Sequence, residues 1–295
     1  MKVPILISYA YARKPEKQED WLRIVNDDRV DILLDSGAFS AKASGHDIQL
    51  DEYCQFLDQW KHRVFRYLAL DVVGDPKATD ENLRQMVKAG YNPAPVHVLG
   101  DEKAKMDELF ELSDYVALAG LKRPGKGHCS KSYVKRKMEW ADGRDVHWLG
   151  YVVEKMFATY KPYSTDSASW TYGTRFGWLM LYLGNGKQAR KVRFDDRHQI
   201  THDKRVRNHL HRLGFDSKAY NDLEMWRSTK ANGRRSIPAA VAADSWVRYT
   251  RDIAQRYGTR VFIATALASG DIDLLQNAID EHYDSFNPDI RPVHV

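Results

Sequence analysis

The sequence predicts an α/β fold, specifically a TIM-type (β/α)8 barrel with a basic insertion late in the barrel, on three observations. Short apolar runs, each ending in a polar or glycine tip, follow one another: ILLDSGAFS around Asp35, YLALDVVGD around Asp71, PVHVLG around His97, YVALAGL around Gly120, VHWLGYV around Gly150 and YSTDSASW around Asp166. Amphipathic segments alternate with these runs, as they do where helices cover a parallel sheet. The chain has 295 residues, 43% of them hydrophobic, enough to bury one large core and to supply the eight strands that closure needs. An open doubly wound sheet is the rival arrangement. No GxGxxG follows a strand and no GxxxxGK[ST] occurs, so dinucleotide and nucleoside triphosphate binding lack motif support.

Taken in order, Val3–Ser8 is a first strand and Gln18–Val25 a short helix. Ile32–Leu34 is a second strand, and Leu50–Trp60 places Tyr53, Phe56, Leu57 and Trp60 at the spacing of a helix face. Tyr67–Val73 reads as a buried strand, followed by a helix over Thr79–Ala89 with Thr79 as its cap and Gly90 ending it. Pro95–Leu99, a helix over Lys103–Leu112 and Tyr115–Ala119 repeat the unit, and His147–Val152 and Tyr163–Asp166 continue it. Ala239–Tyr257 is helical, Arg260–Thr265 an apolar β-branched strand, and Ile272–Tyr283 a closing helix. The expected organisation is one barrel domain over residues 1–295, with residues 184–237 inserted in it.

Charge is uneven. Residues 185–235 hold 14 Lys or Arg against 6 Asp or Glu, a local charge of +8 in a chain whose formal total is +5. Arg190, Lys191, Arg193, Arg197, Lys204, Arg205 and Arg207 lead this block, which attracts phosphate backbones by counterion release. A solvated basic surface is the plainer alternative. His198, His202, His209 and His211 lie among these residues, but no cysteine accompanies them, and His209 and His211 diverge on a helix; no metal is expected. Two cysteines, Cys54 and Cys129, support neither a disulfide framework nor a four-cysteine zinc site. The apolar run at the amino terminus is shorter than a signal peptide's core, and no stretch reaches the roughly 18 apolar residues of a membrane span. A cytoplasmic protein without a membrane partner is expected.

Carboxylates at successive strand ends of one barrel form one polar pocket. Asp35 precedes Ser36-Gly37-Ala38-Phe39, where the glycine permits a tight turn and Phe39 offers a ring for stacking. Asp71 ends the run Leu68-Ala69-Leu70, and Asp166 lies between the hydroxyls of Thr165 and Ser167. A lone Asp at such a position is more often a cap or turn former. Two carboxylates across an anomeric carbon are the equipment of glycosidic-bond chemistry, one as nucleophile and the other as proton donor and acceptor.

The order of these segments resembles the tRNA-guanine transglycosylases and their relatives that insert 7-deazaguanines into DNA. That family has an Asp-Ser-Gly-Gly-Phe tip, a strand-end Asp, a Gln-bearing strand end, a Gly-Gly-Leu segment, a strand ending in glycine and a final Asp. This chain has Asp35-Ser36-Gly37-Ala38-Phe39, Asp71, His97, Ala119-Gly120-Leu121, Gly150 and Asp166, over roughly residues 31 to 170. The fragment Tyr163–Trp170 is closer to the DNA-modifying, phage-type branch. The resemblance implies a pentosyltransferase that exchanges guanine in DNA for a free 7-deazaguanine base such as preQ0, with tRNA as the alternative polymer and host cytoplasm as the location. It implies Asp166 as nucleophile on C1′, Asp35 as general acid and base, Asp71 as reader of the guanine edge and Phe39 as stacking ring. Ser36, Gly120, Leu121 and Gly150 would line the base site, with His97 in place of the family's glutamine. No cofactor is implied. The zinc site of the bacterial tRNA enzymes needs cysteines near the carboxyl terminus, and none follows Cys129. Oligomeric state stays open, as do two other readings: a nucleoside or sugar hydrolase using the same carboxylates, and a nucleic-acid-binding protein in which the aspartates cap loops.

Overall fold

The computed structural model describes residues 1–123, 127–128, 131–182, 184, 190–193, 204–212, 214, 230–231 and 234–283. Two compact units divide them, one of Pro4–Ser167 with Tyr257–Leu267, the other of the described residues within Met1–Val3, Ala168–Arg256 and Ala268–Val295.

The first unit is built on eight parallel strands: β1 (Val3–Ser8), β2 (Val30–Asp35), β3 (Arg66–Tyr67), β4 (Val96–His97), β5 (Tyr115–Leu118), β6 (Asp145–Trp148), β7 (Ser164–Ser167) and β8 (Arg260–Thr265). Their spatial order is β3-β2-β1-β8-β7-β6-β5-β4. The two ends of this series are joined through a parallel bridge between Leu68 and Ala94. There the Ala94 N–H donates to Tyr67 O at 2.8 Å and the Ala69 N–H to Ala94 O at 2.9 Å. The sheet is therefore curled onto itself, the pattern of a (β/α)8 barrel.

Helices follow the first six strands in turn: α1 (Gln18–Val25), α2 (Leu50–Trp60), α3 (Pro76–Lys88), α4 (Lys103–Leu112), α5 (Lys131–Ala141) and α6 (Glu154–Tyr160). Sequence periodicity anticipated α1, α2 and α4 and missed α5 and α6. Two expectations near β3 are corrected. The strand is short because the chain leaves the sheet at Leu70, and α3 begins at Pro76, whose missing N–H costs nothing there. Its cap is Asp75, which accepts from the Ala78 N–H at 3.0 Å, so Thr79 lies inside the first turn.

Alternation along the strands sorts the core. Leu6, Leu33, Leu68, Ala94, Val96, Tyr115, Ala117 and Phe262 pack together in one cluster inside the curl. Their neighbours Ile5, Ile7, Ile32, Leu34, Val116, Leu118, Val261 and Ile263 are buried too and face the opposite way. Burial on both faces is why these strands read as unbroken apolar runs. Where the strands begin, Phe65 stacks on Tyr163 at 6.2 Å and on Phe262 at 6.0 Å between ring centroids. The Arg260 guanidinium lies 4.3 Å from the Phe65 centroid and is paired with Asp31. An aromatic plug thus closes the end opposite the strand tips.

In the second unit, helix Ser169–Arg175 is followed by the antiparallel pair Trp178–Leu181 and Arg190–Arg193, helix Lys204–Arg212, a short antiparallel pair at Lys230–Ala231 and Arg234–Arg235, and the helices α7 (Ser236–Tyr257) and α8 (Asp271–His282). Much of the basic stretch, Arg197, His198 and His202 included, lies outside the described residues.

Phe262 touches both the central cluster and the plug. Phe262→Ala is expected to destabilise the protein by about 3–5 kcal/mol, read as a lower midpoint in urea unfolding.

Candidate active site

Parallel strands put all their carboxyl ends at one end of the sheet, so the six sequence tips meet there. Asp35 closes β2, His97 closes β4, Asp166 is the third residue of β7, and Asp71, Gly120 and Gly150 follow β3, β5 and β6 by a few residues. A cavity of about 930 Å³ opens at this end, lined by Asp35, Ser36, Phe39, Asp71, Ala119 and Leu149 among others; of the six tip residues, Asp35 and Asp71 line it.

Asp35 is set by the turn after it. Gly37 has φ +79°, and a Cβ on it would come within 2.6 Å of Ala10 Cβ, Ala10 N and Ser8 Oγ, so only glycine fits. That turn directs the Gly37 N–H to Asp35 Oδ2 at 3.0 Å. Burial, then the charge of Asp166, push the Asp35 carboxyl up to about 6, against the smaller downward pull of the Gly37 N–H, Ser8 and His147. The neighbouring Ser8 hydroxyl is buried without a partner in hydrogen-bond geometry.

Asp71 is pushed up to about 7, chiefly by burial and further by Asp35. Its Oδ1 is buried and accepts no hydrogen bond. The loop that carries it is tied at several points: Tyr53 OH donates to Leu68 O at 2.8 Å, Asn82 Nδ2 to Leu70 O at 3.1 Å, and the Val72 N–H to Thr79 Oγ1 at 2.9 Å.

Asp166 is held by two donors on one oxygen. Its Oδ1 accepts the Gly150 N–H at 2.7 Å and bonds His147 Nε2 at 3.1 Å. His147 is fully buried, and its Nδ1 meets Ser164 Oγ at 2.8 Å. Sequence reasoning placed His147 on a strand and gave it no role. Its signal was its position three residues before Gly150, on the strand next to the one bearing Asp166.

The remaining expected residues divide. Ser36 is buried on the cavity wall, and Phe39 stands at the rim with 77% of its surface exposed, open to a planar ligand. Gly120 has φ +75°, and a Cβ there would lie 2.7 Å from Leu99 Cβ. Leu121 is buried, and the Gly150 N–H is taken by Asp166. His97 is a correction: its Nε2 bonds Glu102 O at 3.2 Å and its Nδ1 meets Lys137 Nζ at 3.2 Å, so neither nitrogen is left for a base carbonyl. Burial lowers the pKa of both His97 and Lys137, and the pair fastens the loop after β4, where Lys137 Nζ also donates to Asp101 O at 2.8 Å.

The cavity is acidic. Asp35, Asp71, Asp80, Asp101, Glu102 and Glu108 line it, and among the described residues the one basic lining group is Lys105. Lys105 is already bonded to Asp80 at 2.8 Å and Glu108 at 3.2 Å. Within the basic block of the other unit, Lys191, Arg193 and Lys204 are exposed and Arg207 is half-buried, while Arg190 and Arg205 lie on a strand and a helix. Lys191 Nζ sits 4.2 Å from the Trp178 ring centroid.

No family model matches this chain, and no curated protein matches it. A solved structure that does match is described, provisionally, as a 2,5-diketo-D-gluconic acid reductase B; it is 15% identical, the match covers 98% of this chain and 80% of that one, and the TM-score is 0.33. The description of that solved structure is of a reductase, not of a transglycosylase. The expectation of a base-exchange transglycosylase, with its pentosyltransferase class and its 7-deazaguanine modification of DNA, is set aside: no family model, no curated protein and nothing in the description of that structure supports it. The neighbour's own chemistry is not carried over, since a superposition at that score supports no argument about this chain. Among the described residues no helix is long and apolar enough to cross a membrane.

Asp71 has a testable linkage. Its pKa is raised from the ordinary carboxylate value near 4 to about 7, so the folded state binds more protons than the unfolded one across that interval. The stability it contributes is full below about pH 4 and is lost as pH rises through about 7. Asp71→Asn is therefore expected to stabilise the protein by about 1–3 kcal/mol at pH 8 and to change little at pH 4, read by urea unfolding at both pH values.

Proposed function

We propose that this protein hydrolyses a glycosidic bond of a small neutral sugar or nucleoside by paired-carboxylate chemistry at the strand tips. One observation carries the reading: Asp35, pushed up to about 6, stands beside Asp166, whose charge is part of the cause. Two titratable groups whose environments set them apart are how a site obtains an acid and a nucleophile from the same residue type.

In this reaction Asp35 gives its proton to the leaving atom as the bond from the anomeric carbon breaks, and an Asp166 oxygen bonds to that carbon. Water then attacks the same carbon, its proton passes to Asp35, and Asp166 leaves as carboxylate. Phe39 offers its face to the leaving group or sugar. The acidic lining opposes phosphorylated small molecules and suits a neutral substrate rich in hydroxyl or amine donors.

For a macromolecular partner, we propose nucleic acid on the basic stretch of the second unit. The support is its local charge of +8 and the exposed Lys191, Arg193 and Lys204.

Incubation with a panel of neutral aryl glycosides and unmodified nucleosides, with chromatography of the freed sugar, tests the chemistry. Turnover is expected to fall as pH rises past about 6, where Asp35 loses its proton, and to drop by about 10²–10⁴-fold in Asp35→Asn and in Asp166→Asn. A wild-type protein that leaves the whole panel intact, or an Asp166→Asn variant that still turns over, sinks the reading. For the partner, joint replacement of Arg190, Lys191 and Arg193 by Ala should weaken nucleic acid binding and flatten its dependence on salt; an unchanged slope removes these residues from the interface.

A further inference from the structure

We propose that His147 is a positioning residue for Asp166, fixed by a buried hydroxyl chain in the tautomer that carries its proton on Nε2, so that Asp166 Oδ1 is the anchored oxygen and Oδ2 the one that reacts. The last clause rests on the reading of Asp166 as nucleophile; the tautomer does not.

The chain runs from Tyr115 OH to Ser164 Oγ at 2.5 Å, from Ser164 Oγ to His147 Nδ1 at 2.8 Å, and from His147 Nε2 to Asp166 Oδ1 at 3.1 Å. Tyr115, Ser164 and His147 are buried, with Ser164 and His147 wholly so. For a neutral imidazole, one proton arrangement satisfies every member. A carboxylate only accepts, so the bond to Asp166 requires a proton on Nε2. The Tyr115 phenol, driven well up by burial, keeps its proton and donates to Ser164 Oγ. Ser164 then has its own proton to give, and His147 Nδ1 is the acceptor in reach. The reverse order would leave the Tyr115 O–H buried with nothing to receive it, which costs about 1–3 kcal/mol.

Packing holds the ring in that plane. His147 lies between Tyr115, at 6.1 Å, and Phe262, at 6.0 Å, measured between ring centroids. A flip of the imidazole would put carbon opposite both Ser164 and Asp166 and lose both bonds. The Gly150 N–H reaches the same Oδ1 at 2.7 Å, from a residue at φ +62° that turns the chain off β6. Two fixed partners on Oδ1 leave Oδ2 with no hydrogen-bond partner among the described residues, so Oδ2 is the oxygen with the freer lone pairs.

Long-range 15N–1H spectra of the histidine side chains, recorded on the ligand-free protein between pH 6.5 and 8, read the tautomer directly. A single His147 form protonated at Nε2 is expected, with Ser164→Ala mixing the two tautomers and Ser164→Thr, which keeps the hydroxyl, retaining the wild-type spectrum. On a turned-over glycoside, Ser164→Ala should lower kcat by about 10- to 100-fold with KM little changed, and Ser164→Thr should restore it. A wild-type His147 protonated at Nδ1 overturns the proposal, and needs no variant to fold. So does a Ser164→Ala protein whose tautomer and kcat match the wild type. A protein inactive on every glycoside would remove the glycosidic reading and leave the spectra to decide this one.

Discussion

Burial and mutual charge make it costly for the carboxyl groups at the strand tips to ionise together. Asp35 feels Asp166 on one side and is itself felt by Asp71 on the other, and burial adds to the repulsion at both Asp35 and Asp71. Relief comes from unequal treatment of the three. Asp166 receives two N–H donors, Asp35 receives one, and Asp71 Oδ1 receives none. Buried and short of donors, Asp35 and Asp71 keep their protons up to about pH 6 and 7.

That inequality is maintained by backbone more than by side chains. The Gly37 turn has no room for a Cβ, so the N–H that steadies Asp35 is part of the covalent path of the chain. The Gly150 N–H comes from the exit of the neighbouring strand, and the parallel register of that strand with the one bearing Asp166 brings the two together. Behind the tips, the stack of Phe65, Tyr163 and Phe262 with Arg260 fills the far end, so the strands cannot slide to relieve the crowding of the carboxyls. The loop bearing Asp71 is tied to Tyr53, Asn82 and Thr79. Thr79, which has the residue type of a helix cap, spends its hydroxyl on this loop instead, because Asp75 already caps the helix.

His97 and His147 show how two similar signals part company. Both are histidines on strands, one closing β4 and the other within β6. A strand alternates its side chains, and the curl decides which face is inside. His97 turns to Lys137 and Glu102 and secures a loop, while His147 turns to Ser164 and Asp166 and enters the polar network. Neither outcome is written in the local residue pattern.

The sequence by itself determined most of the alternation of strands and helices, the tips at which Asp35, Asp71 and Asp166 sit, and a glycine that permits a tight turn after Asp35. These are local properties, set by apolar periodicity and by the backbone freedom of single residues, and they survive without knowledge of the neighbours. The tertiary structure alone decided which tips share a cavity, which way each histidine points, that Arg260 reaches Asp31 across 229 positions of chain, and how protons are divided among the carboxyls. Those depend on sheet order and curl, which bring together residues far apart in the sequence and set the burial and charge around each one. Burial and charge, rather than residue type, fix what an aspartate does.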